Sequence, residues 1–379
     1  MRSDTRLFGL PRWRLTRWLT DAGRDVPDDI RAALIGSLFG TIPIFAGGVL
    51  NTLAVSTLVA LRIPSKQFVI WCALEYVICI FRLIVLVTAR RAAANKRSTP
   101  TDLYILLGLA WAGSVGYGTF ISVISGDWVV ATLACLSAAA MVGGISFRNF
   151  GAPRLAGAMI VLTLGSCCLA APLTHEPLLL ITFLQIPFYL ASMSAAGFRL
   201  NKMLVATMRA ERENAFRARH DSLTALPNRA GLAHAIEARR DGLAALLYLD
   251  LDGFKVVNDT HGHGTGDQLL QAVADRLQKA ARPGDLVARI GGDEFVILTD
   301  VLAPASLTTL AEQLVAQISV PYSLGRGRTA TIGVSIGIAL APEHGTDLAS
   351  LLAAADEALY QAKALGRSRS NFASLRDVA

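Results

Sequence analysis

Six long apolar stretches fill the first half of the chain and restrict how it can fold. They run roughly over 33–61, 67–89, 103–125, 128–147, 155–174 and 177–198. Each is close to, or longer than, the ~20 residues that an α-helix needs to cross a bilayer. The chain has 36 Lys and Arg and 29 Asp and Glu residues, but only 13 of these fall in 32–198. We therefore predict a six-helix membrane region over 33–198 and exclude a single soluble domain.

The positive charges lie beside the apolar stretches and predict the orientation of the chain. The tail 1–32 and the connections 90–101 and 148–154 together carry 13 Lys and Arg residues. The connections on the other side carry two, Arg62 and Lys66. Since short cytoplasmic loops are enriched in Lys and Arg, both termini are expected in the cytoplasm. These flanking charges account for the net charge of +7, so we expect no nucleic-acid partner.

Two ionisable residues interrupt the second apolar stretch. Glu75 and Arg82 are seven residues apart, which is nearly two helical turns and places them on one face. Ionisable residues inside a membrane often mark a functional site such as a ligand contact. The alternative, which we favour from the sequence, is a structural ion pair with Arg82 reaching toward the inner surface.

Residues 199–220 predict a helix that continues the last apolar stretch, because they contain neither Pro nor Gly. Leu200, Leu204, Thr207 and Asn214 form a short, imperfect heptad pattern. Such a pattern is compatible with a parallel dimeric stalk that transmits a change of register. A solvated charged helix explains the same residues equally well.

The remaining block, 221–379, alternates between two kinds of periodicity. Buried-strand patterns cover 243–251, 285–290, 295–299 and 329–340, and helical patterns cover 230–240, 265–281, 304–320 and 347–365. Strands that alternate with helices predict an α/β or α+β domain built on one sheet.

Acidic residues stand at two of the predicted strand ends. Asp250 and Asp252 close the first strand, and Asp293 and Glu294 lie in a glycine-containing turn between two strands. Carboxylates without Cys or His nearby are hard oxygen ligands that suit Mg²⁺, which usually completes its shell with phosphate oxygens and water. Bare glycine backbone at 291–292 lets a nucleotide approach closely. The combination favours a metal–nucleotide site.

The loop 258–267, NDTHGHGTGD, offers an amide and a carboxylate to a base edge. Asn258 and Asp267 suit guanine, whose N1 and N2 hydrogens are donors and whose O6 is an acceptor. The alternative is a structural loop that caps the next helix at Gly266–Asp267, and both can hold.

These segments together resemble the diguanylate cyclase (GGDEF) family. GGDEF at 291–295 is the family's defining motif. DSLTALPNR (221–229), LDLDGFKVVND (249–259), GHGTGDQLL (262–270), VSIGIA (334–339) and ADEALYQAKALGR (355–367) resemble its other motifs in order. The resemblance covers about 221–372 and implies a fold like the palm domain of nucleotidyl cyclases. One departure is Gly253, where many relatives carry a bulkier residue.

The resemblance also implies roles for individual residues. Mg²⁺, or Mn²⁺ in its place, is expected on Asp250, the Leu251 carbonyl, Asp293 and Glu294. One of the last two is expected to act as the catalytic base. Binding of GTP is expected from Asn258, His263 and Asp267 at the guanine, from Lys255, Lys363 and Arg367 at the triphosphate, and from Gly291 and Gly292 beside the nucleotide.

The segment RPGD at 282–285 resembles the family's inhibitory product site. Arg282 and Asp285, joined by Arg289, would then bind the product cyclic di-GMP. The alternative is a plain turn made by Pro283–Gly284.

The expected function is a bacterial inner-membrane enzyme that condenses two GTP into cyclic di-GMP. It would act as a homodimer in the lipid bilayer, with regulation by the membrane region and inhibition by product. The alternative is a catalytically weak receptor that binds cyclic di-GMP through Arg282 and Asp285. Transport through the six helices is a third and weaker hypothesis, because few charges line them.

Overall fold

The computed structural model describes residues 8–23, 25–40, 42–239, 244–325 and 328–374. Positions 1–7 of the predicted tail, position 243 at the start of the first predicted strand, and 375–379 lie outside these ranges. The chain divides into two compact units, Met1–Ala210 and Glu211–Ala379. Each is described separately.

The first unit is entirely helical where it is described. Its helices are α1 (Arg14–Leu19), α2 (Asp28–Leu38), α3 (Ile42–Arg62), α4 (Lys66–Ala94), α5 (Thr101–Ile124), α6 (Trp128–Arg148), α7 (Pro153–Ala170) and α8 (Thr182–Arg219). Two 3₁₀ turns, Ala171–Leu173 and Pro177–Ile181, join α7 to α8. Six helical segments, comprising α3 to α6, Pro153–Leu173 and Pro177–Arg219, are long and apolar enough to cross a membrane. The chain is thus indicated to be a multi-pass membrane protein.

Helix α5 lies at the centre of this unit and packs most extensively against α7 and α4. Two glycines permit the close approach. A Cβ on Gly116 would lie 2.0 Å from the Leu162 carbonyl oxygen, and one on Gly118 would lie 1.9 Å from the Trp71 ring. Small residues at membrane helix contacts let backbones and large rings pack tightly, as here.

The first predicted span, 33–61, is wrong in its extent. The structure divides it into α2, which ends at Leu38, and α3, which begins at Ile42. Gly40 has a φ of +31°, and Pro43 is the second residue of α3. Proline is accepted in the first turn of a helix but breaks its interior, so a membrane helix starts afresh at Ile42.

The expected ion pair between Glu75 and Arg82 does not form. Both side chains are buried, with 0% and 6% of their surface exposed, but neither Glu75 oxygen has a hydrogen-bond partner in the described chain. The Arg82 guanidinium instead lies over the rings of Trp111 and Phe45, 4.5 and 5.2 Å from their centroids. Helical spacing places both residues on one face, but it does not bring their charged groups together.

Helix α8 confirms the predicted continuation of the last apolar stretch, since it extends from Thr182 to Arg219, with Pro187 inside its N-terminal part. Near the end of the first unit, Val205 and Leu204 pack against Ile30 and Leu34 of α2. Leu200, by contrast, is 51% exposed. One residue of the predicted heptad pattern is therefore used within the chain.

The second unit is a mixed α/β domain, as expected. Its helices are α9 (Arg229–Ala238), α10 (Phe254–His261), α11 (His263–Ala280), α12 (Pro304–Ile318) and α13 (Leu348–Ala364). Its strands are β1 (Ala244–Asp252), β2 (Leu286–Gly291), β3 (Glu294–Thr299), β4 (Tyr322–Ser323), β5 (Thr329–Ala330), β6 (Gly333–Ala341) and β7 (Ser370–Phe372).

Five strands form one sheet in the order β2-β3-β1-β6-β7. The central β1 pairs antiparallel with both β3 and β6, while β7 runs parallel to β6. Alternate residues of β1 enter two different cores, as the two-residue period of a strand requires. Leu247 and Leu249 pack with α11 and α12, and Leu246 and Tyr248 pack with α9 and α13.

Several details differ from the sequence prediction. The predicted strand 329–340 is two strands, because β5 pairs with β4 and not with the main sheet. Helix α11 begins at His263, with Gly262 at its N-cap, so Gly266 and Asp267 lie inside the helix and do not cap it. The short elements α10, β4 and β7 were not predicted.

Gly337 is expected to be essential for packing α13 onto the sheet. A Cβ there would lie 1.9 Å from the Ala355 carbonyl oxygen and 2.6 Å from the Leu359 nitrogen. Gly337→Ala should therefore destabilise residues 211–379 by about 1–3 kcal/mol, since overpacking forces the backbone apart. Guanidinium unfolding followed by circular dichroism measures this.

The matched control is Gly264→Ala. A Cβ at this α11 position meets no atom within 4 Å, and alanine favours a helix over glycine by about 0.8–1 kcal/mol. Its unfolding midpoint should stay the same or rise. Equal midpoints for the two variants would contradict the packing argument.

Candidate active site

The carboxylates of β1 lie on one face at the end of the strand. Asp250 and Asp252 follow Tyr248 at two-residue intervals and share its side of the sheet, toward α13. Asp250 is the cross-strand partner of Glu294, the first residue of β3. The strand pairing thus brings two predicted metal ligands opposite each other.

The glycine turn between β2 and β3 forms the tight hairpin that the sequence predicted. Gly291 pairs with Glu294, and the register shifts between Arg289 and Gly291. Gly292 has a φ of +45°, a conformation that glycine adopts at little cost. The Leu251 amide donates to the Asp293 carbonyl oxygen at 3.3 Å, which ties the turn to the end of β1.

Basic residues of α13 and its following turn lie against these carboxylates. The Lys363 ammonium is 2.8 Å from an Asp250 oxygen, and the Arg367 guanidinium is 4.0 Å from Asp252. Lys255, the third predicted phosphate ligand, is exposed on α10. Two of the three cations are therefore placed at the end of β1, and all three remain candidates for phosphate binding.

Asp293 carries the electrostatic signature of a crowded acidic site. Burial raises its pKa above the usual range, and the neighbouring Asp250 charge raises it further. Nearby Lys363 and Arg289 offset only part of this effect. A bound cation would relieve the repulsion, and the donors are the hard oxygens that Mg²⁺ and Mn²⁺ prefer. In the described residues, no three Asp, Glu, His or Cys side chains form a ready-made metal cluster.

The predicted guanine residues lie on α10 and α11. The Oδ1 of Asn258 is buried and has no hydrogen-bond partner within the described chain. A Cβ on Gly266 would lie 1.8 Å from that oxygen, so the glycine makes room for the amide. His263 and Asp267 are exposed on the first turns of α11.

Arg289 braces the hairpin from within the domain. Its Nε and Nη2 donate to the Gly292 carbonyl oxygen at 3.0 and 2.8 Å, and its Nη1 donates to Asp221 at 2.8 Å. Burial alone would raise the pKa of Asp221, but hydrogen bonds from Thr224 and Arg289 outweigh it and lower the pKa. The structure thus gives Arg289 a structural contact that the sequence did not indicate.

The RPGD segment forms a turn. The Asp285 carboxylate accepts a hydrogen bond from the Arg282 amide at 2.9 Å, and the Asp285 amide donates to the Arg282 carbonyl oxygen at 3.0 Å. The Arg282 side chain is exposed. Its guanidinium is thereby available to a ligand, and product binding stays a prediction.

The sequence did not predict the hydrogen-bond donors that hold the Asp252 carboxylate. Ser335 is fully buried and its hydroxyl donates to Asp252 at 2.9 Å, while the Ser368 amide donates to the same carboxylate at 3.0 Å. Asp252 is thus held in place by hydrogen bonds within the domain. A lone polar residue in the apolar strand VSIGIA was the available signal for Ser335.

Comparison with known proteins identifies the second unit. Residues 218–369 match the family model described as "Diguanylate cyclase, GGDEF domain". Residues 218–369 form a GGDEF domain. The match spans the hairpin, the end of β1, α10, α11 and α13, so every element of the candidate site lies within the GGDEF domain.

Two curated relatives from Pseudomonas aeruginosa show the same similarity. The bifunctional diguanylate cyclase/cyclic di-GMP phosphodiesterase MucR is 46% identical over 176 residues, which are 45% of this chain and 26% of MucR. The diguanylate cyclase TpbB is 42% identical over 172 residues, 43% of this chain and 39% of TpbB. The similarity therefore spans well under half of either relative.

A solved structure of the TpbB GGDEF domain from Pseudomonas aeruginosa is also similar. It is 42% identical and covers 42% of this chain and 96% of that chain, with a TM-score of 0.39.

We predict that Arg289→Met destabilises the GGDEF domain by about 1.5–3 kcal/mol at pH 7, the usual range for hydrogen bonds to charged groups. Only 10% of the Arg289 side chain and 23% of that of Asp221 are exposed, so solvent replaces the pair poorly. Denaturant unfolding of residues 211–379 measures the loss. Arg229→Met, at an exposed position on α9, should change stability little.

The destabilisation should also depend on pH. The folded pKa of Asp221 lies below its unfolded value, so the pair stabilises the fold above about pH 3.9 and is lost as the pH falls through the folded pKa. The difference between wild type and Arg289→Met should shrink below about pH 4. A constant difference would show that the pair with Asp221 contributes nothing.

Proposed function

We propose that the protein is a membrane-bound diguanylate cyclase that joins two GTP into cyclic di-3′,5′-guanylate and releases two pyrophosphates. The observation that carries this proposal is the pairing of Asp250 with Glu294 beside the bare glycine turn. The names of MucR and TpbB, both diguanylate cyclases, support it. The GGDEF motif at 291–295 is intact.

The carboxylates would hold the divalent cation that such an enzyme needs. Asp250, Asp293, Glu294 and the Leu251 carbonyl oxygen are the proposed ligands of Mg²⁺, or of Mn²⁺ in its place. Burial and the neighbouring Asp250 charge together raise the pKa of Asp293, and this closeness of two carboxylates supports the assignment. When bound, the cation would lower the pKa of the attacking hydroxyl and offset charge on the phosphate.

The protein's own residues would bind and orient GTP. Asn258 offers a buried acceptor without a donor, which suits the N1 and N2 hydrogens of guanine. His263 and Asp267, which are exposed on the first turns of α11, would complete the proposed base site. Lys255, Lys363 and Arg367 would contact the triphosphate, and Gly291 and Gly292 would lie beside the nucleotide.

Each catalytic step forms one bond and breaks one. The 3′-hydroxyl of one GTP attacks the α-phosphorus of the other, the bond to pyrophosphate breaks, and the hydroxyl proton passes to Asp293 or Glu294. The same step in the other direction closes the ring. One domain binds one GTP, so two domains must face each other in a homodimer. Correct positioning of two reactants is worth about 7–11 kcal/mol.

The membrane region would control that positioning. The Lys and Arg distribution places both termini in the cytoplasm of a bacterial inner membrane. Helix α8 continues from the last span to Arg219, and it would act as the stalk of the dimer. The enzyme would thus be regulated from the lipid bilayer.

The exposed Arg282 on the RPGD turn would bind cyclic di-GMP and inhibit the enzyme, since a guanidinium matches phosphate geometry. Asp285 is its partner in this proposed site, and Arg289 would contribute from the neighbouring hairpin strand. The same exposed guanidinium favours the second candidate function, a catalytically weak receptor for cyclic di-GMP.

We predict that Glu294→Gln abolishes synthesis, with a loss of at least about 100-fold, because the amide neither binds a cation well nor accepts a proton. Some GTP binding should persist. The assay incubates the purified protein, in detergent, with GTP and Mg²⁺, separates nucleotides by chromatography and measures pyrophosphate.

Glu237→Gln is the matched control, since Glu237 is exposed on α9 and away from the carboxylates of β1. It should retain wild-type synthesis. Retained synthesis in Glu294→Gln would overturn the assignment of this residue. Wild-type dimer that binds cyclic di-GMP but makes none would favour the receptor.

We further predict that Arg282→Ala raises the concentration of cyclic di-GMP needed for half inhibition at least tenfold. Initial rates with added product measure this. Lys279→Ala, also exposed and only three residues away, should leave inhibition unchanged. If Arg282→Ala is inhibited like the wild type, RPGD is a turn and nothing more.

A further inference from the structure

The membrane unit contains a cavity of about 110 Å³ among its helices. This is several times the ~10–15 Å³ needed to hold one water. Most of its lining is apolar, with Phe45, Ile105, Trp111 and Met159 among the contributors. Two arginines, Arg82 from α4 and Arg148 at the end of α6, line the same cavity.

Arg82 is a buried cation without an anion. Only 6% of the residue is exposed, and its Nε is buried with no hydrogen-bond partner in the described chain. Its guanidinium faces the rings of Trp111 and Phe45 at 4.5 and 5.2 Å. Aromatic faces attract a guanidinium, but they do not accept its five N–H groups.

Arg148 brings a second positive charge to the cavity. Its Nε donates to the Leu38 carbonyl oxygen at 3.2 Å, and its Nη2 donates to the Tyr104 hydroxyl. Its guanidinium lies 5.1 Å from the centroid of the Phe45 ring, the ring that also contacts Arg82. In the described ranges, no carboxylate lies within 4.0 Å of either arginine. Glu75, two turns from Arg82, has no hydrogen-bond partner there either.

Two other arginines of this unit form ion pairs with carboxylates and serve as a comparison. Arg154 also lies over a tryptophan, at 5.5 Å from the Trp18 ring, but it pairs with Asp21 at 3.2 Å. Arg62 pairs with Asp127 at 2.7 Å. Removing a charge from water is costly unless it is paired, and charged residues inside membranes are usually paired or functional. By contrast with Arg154 and Arg62, neither cavity arginine has a carboxylate partner in the described chain.

We propose that the cavity binds an oxyanion carried on an apolar chain, with the carboxylate or phosphate between Arg82 and Arg148. A guanidinium fork matches both groups with paired hydrogen bonds. The apolar lining suits the attached chain. Free fatty acids and anionic phospholipids share this chemistry.

Photolabelling of the full chain tests the proposal without reference to cyclase activity, so its failure leaves the proposed function intact. The protein is reconstituted in phosphatidylcholine nanodiscs and irradiated with a palmitate analogue that carries a diazirine. We expect saturable labelling of peptides from α3 and α5. Unlabelled palmitate should compete, and methyl palmitate, which lacks the charge, should compete at least tenfold less well.

Variants assign the site. Arg82→Gln should weaken labelling at least tenfold, Arg82→Lys should weaken it less, and Arg154→Gln should leave it unchanged. Nanodiscs that contain phosphatidylglycerol distinguish the source. If this lipid displaces the probe, a phospholipid headgroup is the occupant, and if only palmitate does, the occupant is a fatty-acid carboxylate.

The proposal is overturned if methyl palmitate competes as well as palmitate, because the cavity would then be an apolar void. It is also overturned if Arg82→Gln labels like the wild type. Should Arg82→Gln fail to fold, as judged by gel filtration, the comparison of acid with methyl ester on the wild type still decides the question.

Discussion

The cross-strand pairing of Asp250 with Glu294 is the constraint on which the candidate site of the GGDEF domain depends. Strand pairing fixes the two carboxylates opposite each other, and like charges directly opposite destabilise a sheet. The surrounding structure compensates in part: Lys363 pairs with Asp250, and Asp252 is held by hydrogen bonds from Ser335 and Ser368. Burial, with the neighbouring Asp250 charge, still raises the pKa of Asp293. The proposed cation would offset the repulsion between these carboxylates.

Arginine has opposite roles in the two units. Each of the three side-chain nitrogens of Arg289 donates a hydrogen bond, to the Gly292 carbonyl oxygen or to Asp221, and these bonds hold the hairpin in shape. Arg82 has ring faces around it but no acceptor in the described chain. The first pattern is typical of a structural brace and the second of a site that awaits a ligand. Burial alone does not distinguish a structural arginine from a ligand-binding one, whereas the hydrogen-bond partners do.

The proposed cavity ligand could control the proposed enzyme by changing how its two cyclase domains are positioned. In the proposed enzyme, two GTP-loaded domains would react only when they face each other, so a modest change in their mutual position would change the rate many fold. Helix α8 extends from the last span to Arg219, and it is the proposed stalk of the dimer. A ligand shifts an equilibrium only by its differential affinity for two states, and an anion between two arginines would supply such a difference.

The sequence by itself determined the six apolar segments, the α/β character of the second unit and the positions of the GGDEF motifs. Hydropathy and glycine placement are local properties of the sequence, and they do not depend on contacts with distant segments. Only the tertiary structure decided that α3 begins at Ile42, that Arg82 faces Trp111 and not Glu75, and that Arg289 reaches Asp221. The partners in these contacts lie 29 and 68 residues apart along the chain. Periodicity assigns a residue to one face of a helix or strand. Packing between segments that are distant in sequence determines which residues that face contacts.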